Sequence, residues 1–359
     1  MKVCVVGLGH AGLPLACFAS LHGHEVIGFD IDQDLCDKIN SGINPYPDDP
    51  MDVSCVHATP RVDTVSSCDV YLIVVPVGLD DTQRVDYTHL DSAVKLVASV
   101  LLPGDLVVVE ATVPVGTTRN RVLPSLCDLS GLPSGTFHVA SSPERIMTGY
   151  SMSRFESFPK VVGGVDGASG LAAYKFYSSF LDARRVSSSE TAEMTKIAEG
   201  VYRDVNIAIA NELKYHCDLA GVSYDEMAAA ADHEFCHLHL PGLVGGHCIP
   251  VYPRFLGYQA KSVIYAARFY NESRVRYWAN RIAECGATVC IKGISYRFGV
   301  KSIVNSKPLD LYHMLHDMRV PVGVWDAQYD REEIEGLGLK WMDPTDADIV
   351  FDPYELEFR

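Results

Sequence analysis

Basic residues are scarce in this chain: 30 Lys and Arg stand against 46 Asp and Glu, for a formal net charge of -16 over 359 residues. A protein that grips a phosphate backbone needs an excess of Lys and Arg, so no nucleic-acid partner is expected. A small anionic ligand stays open, because it needs only a local basic pocket. Long apolar runs are also missing. None approaches the roughly 20 residues of a bilayer-spanning helix, so no membrane partner is expected. The 11 cysteines contain no CxxC pair, and an odd number scattered singly does not read as a disulfide framework. With no apolar leader ahead of the first strand-like segment, the expected setting is the reducing cytoplasm. What remains is an ordinary soluble composition, 48% hydrophobic and 21% charged. It is long enough for roughly two or three domains with a buried core.

The first thirty residues carry the clearest local pattern. Lys2 to Val6 is a short apolar, β-branched run that predicts a buried strand. It leads into Gly7-Leu8-Gly9-His10-Ala11-Gly12, a GxGxxG turn, and then into apolar residues at helical spacing (Leu13, Ala16, Cys17, Ala19). A second strand-like run from Glu25 to Phe29 ends at Asp30. Strand, glycine turn, helix, strand and acid in this order make a dinucleotide site. The glycines admit a pyrophosphate to the helix N-terminus, and the acid binds ribose hydroxyls. Asp30, with no nearby Arg in its place, favours NAD over NADP.

Further strands are predicted at Val70 to Val75, Leu106 to Glu110 and Phe137 to Ala140, with a helix around Leu90 to Leu102. A long helical pattern without proline follows from Glu190 to about Ala220, then a helix-rich stretch to about Glu284. Strand-like runs return at Thr288 to Ile294, Val322 to Trp325 and Ile349 to Phe351. The expected fold class is α/β: two Rossmann-like doubly wound domains joined by a long central helix and a helical middle domain. The expected division is residues 1–185 for NAD, 186–285 for a helical central domain that forms a dimer, and 286–359 for a second, smaller α/β unit.

Four places carry candidate chemistry. In Gly245-Gly246-His247-Cys248-Ile249-Pro250, two glycines put a cysteine on a loop, where a thiol acts as a nucleophile once its thiolate is stabilised. On the long helix, Lys196, Gly200 and Arg203 share one face. Gly200 costs about 1 kcal/mol against alanine there, so a close approach to the backbone, such as a ligand between Lys196 and Arg203, is expected. The loops Glu110 to Thr118, with Thr112 and Thr118, and Ser142-Pro143-Glu144-Arg145 follow predicted strands at the end where α/β proteins bind ligands.

Together these segments resemble the UDP-glucose/UDP-N-acetylmannosamine dehydrogenase family. The matching stretches are GLGHAGLPLA, EATVPVGTT, SPERI with PKVVGG, AEMTKIAEGVYRDVNIAIANEL, VGGHCIPV and KGISYRFGV, in the family's order across most of the chain. HCIPV and RDVNIA look more like the N-acetylhexosamine branch than the glucose branch. The resemblance implies oxidation of the C6 alcohol of a UDP-sugar to a carboxylate with two NAD in succession. Cys248 matches the nucleophile, passing through a thiohemiacetal and a thioester. Lys196 matches the lysine that assists proton transfer and steadies the oxyanion. Thr112 and Glu144 match residues that position water or C6. Gly7, Gly9, His10, Ala11, Gly12, Asp30 and Thr118 fall at cofactor positions. Arg145, Ile146, Arg203, His233, Gly245, Tyr296 and Arg297 fall at substrate positions, and a homodimer is implied. Four positions depart from the family: Gly200 for an Asn, Tyr252 for an Asp, Phe235 for a substrate-binding Arg, and Val304 for a cofactor-binding Arg.

Other readings stay open. His233, Cys236, His237, His239, His247 and Cys248 are all zinc-ligand types, but their spacing matches no standard finger, and no metal is expected. UDP-glucose is an alternative substrate to the N-acetylhexosamines. A binding protein that holds NAD and a UDP-sugar without oxidising it is an alternative function.

Overall fold

The apolar runs form strands, and the alternation within them decides which face each residue covers. The computed structural model describes residues 1–146, 150–257 and 261–358, with Ser153 and Arg154 described by backbone alone. The chain falls into two units, Met1–Ala198 and Glu199–Arg359.

The first unit begins β1 (Lys2–Val6), α1 (Gly12–Leu21), β2 (Glu25–Phe29), α2 (Gln33–Asn40), β3 (His57–Thr59) and β4 (Val70–Ile73). A small hairpin, β5 (Gly78–Leu79) and β6 (Val85–Asp86), precedes α3 (Thr88–Ala98), β7 (Leu106–Val109), α4 (Leu123–Ser130) and β8 (His138–Ser141). It closes with α5 (Ser151–Arg154), β9 (Lys160–Gly164), α6 (Gly167–Tyr177) and β10 (Ala183–Arg185). The strand order is β10-β9-β8-β7-β4-β1-β2-β3. From β3 to β8 every pairing is parallel, and the chain reverses its direction of travel across the sheet between β1 and β4. Ligands of such sheets bind at the carboxyl ends beside that reversal. Val3, Val5, Leu72 and Val108 pack on one face, and Cys4, Val6, Ile73 and Val109 on the other. Both faces are covered, as a parallel sheet requires. The expected strands form, with ends displaced by one or two residues.

Two strands run beyond that pattern. β9 lies antiparallel to β8, pairing Ala140 with Gly164 and Ser141 with Gly163, and β10 runs parallel to β9. Because β9 runs backwards, its first residue, Lys160, lies past the carboxyl end of β8.

The long helix expected from Glu190 is α7 (Ser189–Ala220), 32 residues. In the second unit follow α8 (Tyr224–Ala231), α9 (Tyr252–Phe255), α10 (Val263–Glu284) and β11 (Val289–Lys292). The chain ends with α11 (Lys307–Asp317), β12 (Val322–Trp325), α12 (Arg331–Gly336), β13 (Ile349–Asp352) and β14 (Glu357–Phe358). The second sheet is ordered β12-β11-β13-β14, parallel except for β14. Trp278 and Ile282 of α10, Leu311 and Leu315 of α11, and Ile291, Val324 and Phe351 of the strands form its core. Both units are α/β with parallel sheets. Among the described residues no helix is long and apolar enough to cross a membrane.

Candidate active site

At the end of β1, Gly7 takes φ +96°, and a Cβ there would lie 2.5 Å from the Val74 carbonyl oxygen. A Cβ on Gly12 would lie 1.8 Å from the Gly7 oxygen, so α1 can start tight against the turn only with glycine there. A Cβ on Gly9 would meet nothing within 4 Å, which leaves that side of the turn open. No side chain caps the first turn of α1. Its N-terminal amides and the helix dipole there suit a phosphate. Asp30 accepts the Leu8 amide at 2.8 Å through one oxygen and the Asp32 amide at 3.1 Å through the other. Both oxygens are oriented, and each keeps a lone pair for a ribose hydroxyl. Ala11 opens the helix as its N-cap residue. His10 is exposed, with its ring 4.1 Å from that of Tyr46, whose hydroxyl donates to the Leu8 oxygen at 2.8 Å. Tyr46 carried no sequence signal, because it arrives from 38 residues away. The turn therefore fits NAD: glycine where the backbone closes, a helix N-terminus with no side-chain cap, and a fixed carboxylate after β2.

The loop after β7 is tied to α7 by a residue the sequence reading missed. Glu193 is fully buried and accepts the Gly116 amide at 2.5 Å and the Thr118 amide at 2.8 Å. Burial raises its pKa, partly offset by those hydrogen bonds. Arg119 pairs with Glu190 on the same helix, and that hydrogen bond holds the Glu190 carboxyl down at about 2. Thr112 and Lys196 are half-buried, while Thr118 is fully buried, its side chain inside the fold. A glutamate three positions before a lysine on a helix gives no hint, by itself, that it clasps a distant loop.

The loop after β8 carries Glu144 and Arg145. Glu144 accepts its neighbour's amide at 2.5 Å and the Lys160 ammonium at 3.0 Å. Arg145 donates to the Pro159 oxygen at 2.9 Å, and Ile146 packs against the core of the first unit. Lys160 also pairs with Glu110 at 2.5 Å, and the Tyr177 hydroxyl donates to Glu110's other oxygen. Burial pushes the Glu110 carboxyl up to about 7, against the pull of Lys160. Burial opposes the charge on Lys160, yet its two carboxylate neighbours outweigh that and raise its pKa.

In the second unit, Cys248 is exposed on its loop. Its carbonyl accepts two backbone amides, from Val251 and Tyr252, each at 3.1 Å. Gly246, at φ +86°, lies against the Tyr296 ring, and its carbonyl accepts the Asn305 side-chain amide at 3.1 Å. A Cβ on Gly245 would lie 2.5 Å from the Asn305 oxygen. The structure thus sets Gly245 and Gly246, in the loop that carries Cys248, against Tyr296; Arg297, next in sequence, is half-buried. His233 forms a two-residue turn with Cys236, its backbone N–H and C=O both bonded there at 2.9 Å, and Arg203 is exposed. His237 pairs with Asp232 at 2.8 Å. Among the described residues no three His, Cys, Asp or Glu side chains are grouped to hold a metal. Phe235 is 87% exposed and Val304 38%, so neither departure is explained by burial.

Gly200 has a different explanation from the one its place on the helix suggested. A Cβ there would lie 2.3 Å from Tyr252 Cδ2. The group that closes on the backbone is the ring of Tyr252, 7% exposed, rather than a ligand. The two departures are a single packing feature: an aromatic ring needs room, and glycine provides it.

The sequence pattern of the UDP-glucose/GDP-mannose dehydrogenase family's NAD binding domain matches residues 1–181, and that of its central domain matches 190–275. A UDP-N-acetyl-D-mannosamine dehydrogenase from Pyrococcus horikoshii is 33% identical over 376 residues, covering 98% of this chain and 88% of the relative. A UDP-N-acetyl-D-glucosamine 6-dehydrogenase from Pseudomonas aeruginosa is 30% identical, covering 93% and 84%. The structure of the P. horikoshii UDP-D-ManNAc dehydrogenase matches at TM-score 0.88 and 31% identity, covering 98% of this chain and 89% of the other. A glycine turn that fits NAD, on a chain similar to these enzymes over nearly its whole length, leads to one conclusion: the protein belongs to the UDP-glucose/GDP-mannose dehydrogenase family and is an NAD-dependent oxidoreductase.

Proposed function

We propose that the chain oxidises the C6 alcohol of a UDP-N-acetylhexosamine, UDP-N-acetylmannosamine first among them, to the uronic acid through a covalent intermediate on Cys248. The observation that carries this is the exposed Cys248 thiol on a loop whose backbone is held on both sides, by the amides of Val251 and Tyr252 and by Asn305. Relatives named for UDP-N-acetylmannosamine and UDP-N-acetylglucosamine support the choice of sugar.

NAD would be held at Gly7, Gly9, His10, Ala11, Gly12 and Asp30 and would supply the hydride acceptor for both oxidations; Thr118, fully buried with its amide on Glu193, is not among the residues that face it. Lys196 assists removal of the C6 hydroxyl proton and then steadies the oxyanion, a fixed positive charge beside forming negative charge. Loss of the first hydride from C6 gives the aldehyde, to which the Cys248 thiolate adds, and the oxyanion takes up a proton to give a thiohemiacetal. Loss of the second hydride leaves a thioester. Water, oriented by Thr112 and Glu144, adds to the thioester carbonyl, and departure of the Cys248 thiolate releases the carboxylate. Arg145, Ile146, Arg203, His233, Gly245, Tyr296 and Arg297 contact the substrate; planar guanidinium groups suit its diphosphate. Residues 1–185, 186–285 and 286–359 serve as the NAD, central and UDP-sugar domains, in a cytoplasmic homodimer. Tyr202, Ile209 and Leu219 of α7 are exposed apolar side chains within about 100° of helix arc, interspersed with the exposed Glu212 and His216, a mixed face available to a second copy.

The test is NADH formation from NAD with UDP-N-acetylmannosamine, UDP-N-acetylglucosamine or UDP-glucose, beside Cys248→Ala. Two NADH per sugar, abolished in the variant, supports the reading and names the substrate. Turnover with UDP-glucose alone replaces the sugar. Binding of NAD and sugar with no NADH makes this a silent binding protein. A monomer mass at working concentration would remove the dimer.

A further inference from the structure

Three buried side chains have no part in the reaction as proposed, yet they meet one that does. Glu110 follows β7 and is 1% exposed, Lys160 opens β9 and is 6% exposed, and Tyr177 ends α6 and is fully buried. The Tyr177 hydroxyl donates to Glu110 Oε1. Lys160 Nζ donates to Glu110 Oε2 at 2.5 Å and to Glu144 Oε2 at 3.0 Å. Glu144 Oε1 takes the Arg145 amide at 2.5 Å.

An ammonium and two carboxylates are expensive to bury, and apolar residues of the same volume commonly stabilise a fold at least as well. Here the arrangement has a direction. Tyr177 and Lys160 occupy both oxygens of Glu110, so Glu110 cannot turn away from the ammonium. The ammonium, held from behind, points an N–H at Glu144. With Arg145's amide on the other oxygen, the Glu144 carboxylate is fixed in plane and rotation, and each oxygen keeps a lone pair. The antiparallel course of β9 is what brings Lys160 to this place.

We propose that Lys160, anchored by Glu110 and Tyr177, is the positioning residue for Glu144, setting the orientation in which Glu144 acts on water or on C6. The proposal rests on the dehydrogenase reading and on Glu144's place in it. The charged or titratable groups facing Glu144 are Lys160, Glu110, Tyr177 and its neighbour Arg145.

The test uses the full-length protein with NAD and each of the three UDP-sugars, measuring kcat and KM across pH together with thermal midpoints. In Lys160→Met, kcat falls roughly a hundredfold, because a misplaced group costs about that much. KM for NAD stays within about twofold, since the loss is in the chemical step. The acid limb of its kcat profile moves to higher pH, because Glu110 and Glu144 then face each other without a cation. Lys160→Arg keeps the charge and the position of that limb. Glu110→Gln with Lys160→Met removes both buried charges and recovers thermal stability, which keeps the test open if Lys160→Met alone folds poorly. Its kcat stays low because Glu144 still lacks its donor, while its acid limb returns part of the way because the facing carboxylate is gone. If kcat instead recovers along with the thermal midpoint in the double variant, Lys160 is structural and the proposal fails. A Lys160→Met enzyme with wild-type kcat and pH profile overturns it equally. Wild-type protein that makes no NADH with any sugar overturns the dehydrogenase reading, and the proposal with it.

Discussion

Replacing Gly200 with alanine adds one methyl group and tests how the Cys248 loop is held. Measured by helix propensity alone, the change stabilises α7 by about 1 kcal/mol. The new Cβ, however, would lie 2.3 Å from Tyr252 Cδ2 and 3.2 Å from Cγ and Cε2. Carbon atoms settle at roughly 3.5–4.0 Å, so the ring must move by more than an ångström. It is 7% exposed, with little free space to enter. Overpacking of this kind costs about 1–3 kcal/mol, so the net loss is about 0–2 kcal/mol once the propensity gain is subtracted. The effect on activity is larger. The Tyr252 amide bonds the Cys248 carbonyl at 3.1 Å, so displacing the ring moves the backbone of Cys248, the nucleophile proposed above. A shift of about 1 Å at a reacting group costs on the order of a hundredfold in rate. The expected result is a small fall in the urea midpoint, a large fall in kcat, and a changed rate of Cys248 alkylation by iodoacetamide. Adding Tyr252→Ala to Gly200→Ala should cost less stability than the sum of the two single changes, because the clash is gone. A Gly200→Ala protein that is about 1 kcal/mol more stable, as propensity alone predicts, with wild-type alkylation and turnover, would refute the contact.

Asp30→Ala removes the carboxylate proposed to accept the ribose hydroxyls and leaves the Leu8 amide without its partner. It should raise KM for NAD about tenfold or more with a smaller change in kcat, and steady-state kinetics with NAD and NADP would show it. Acid stability should depend on Glu190. Its carboxyl titrates at about 2 in the folded chain, below the ordinary 4.5, through its hydrogen bond with Arg119. A lowered folded pKa gives stability that is present above 4.5 and is lost as pH falls through about 2. In Glu190→Gln the denaturation midpoint should therefore change less between those pH values than in the wild type, and the difference should shrink with salt. Equal slopes in both proteins would show that the pair contributes nothing.

The glycine turn was legible because everything that makes it lies within thirty residues. The β1 run, Gly7 to Gly12, the helix and Asp30 each follow from a local rule, and folding only supplies the close contacts of Gly7 and Gly12. The parallel strands β4, β7 and β8 were legible for a related reason: strands buried on both faces must be nearly all apolar. The short β3, at three residues, gives too brief a pattern, and β9 and β10 gave no sign of their pairing or direction. Cys248 could be placed on a loop because two glycines precede it. Its anchors, Asn305 and Tyr296, lie some fifty residues downstream and could not be found that way.

What the sequence determined by itself was therefore the α/β class, the NAD turn and the place of Cys248 on a loop, since each is written in neighbouring residues whose sterics and periodicity act before any tertiary contact. Only the tertiary structure decided what the solitary signals meant. Gly200 marks a close approach in either case, but that the approaching group is Tyr252 depends on a pairing 52 residues apart. Lys160 reads as one more lysine until the antiparallel β9 carries it between Glu110 and Glu144. A side chain's type is local, whereas its partner, burial and charge environment are set by the path of the chain that returns to meet it.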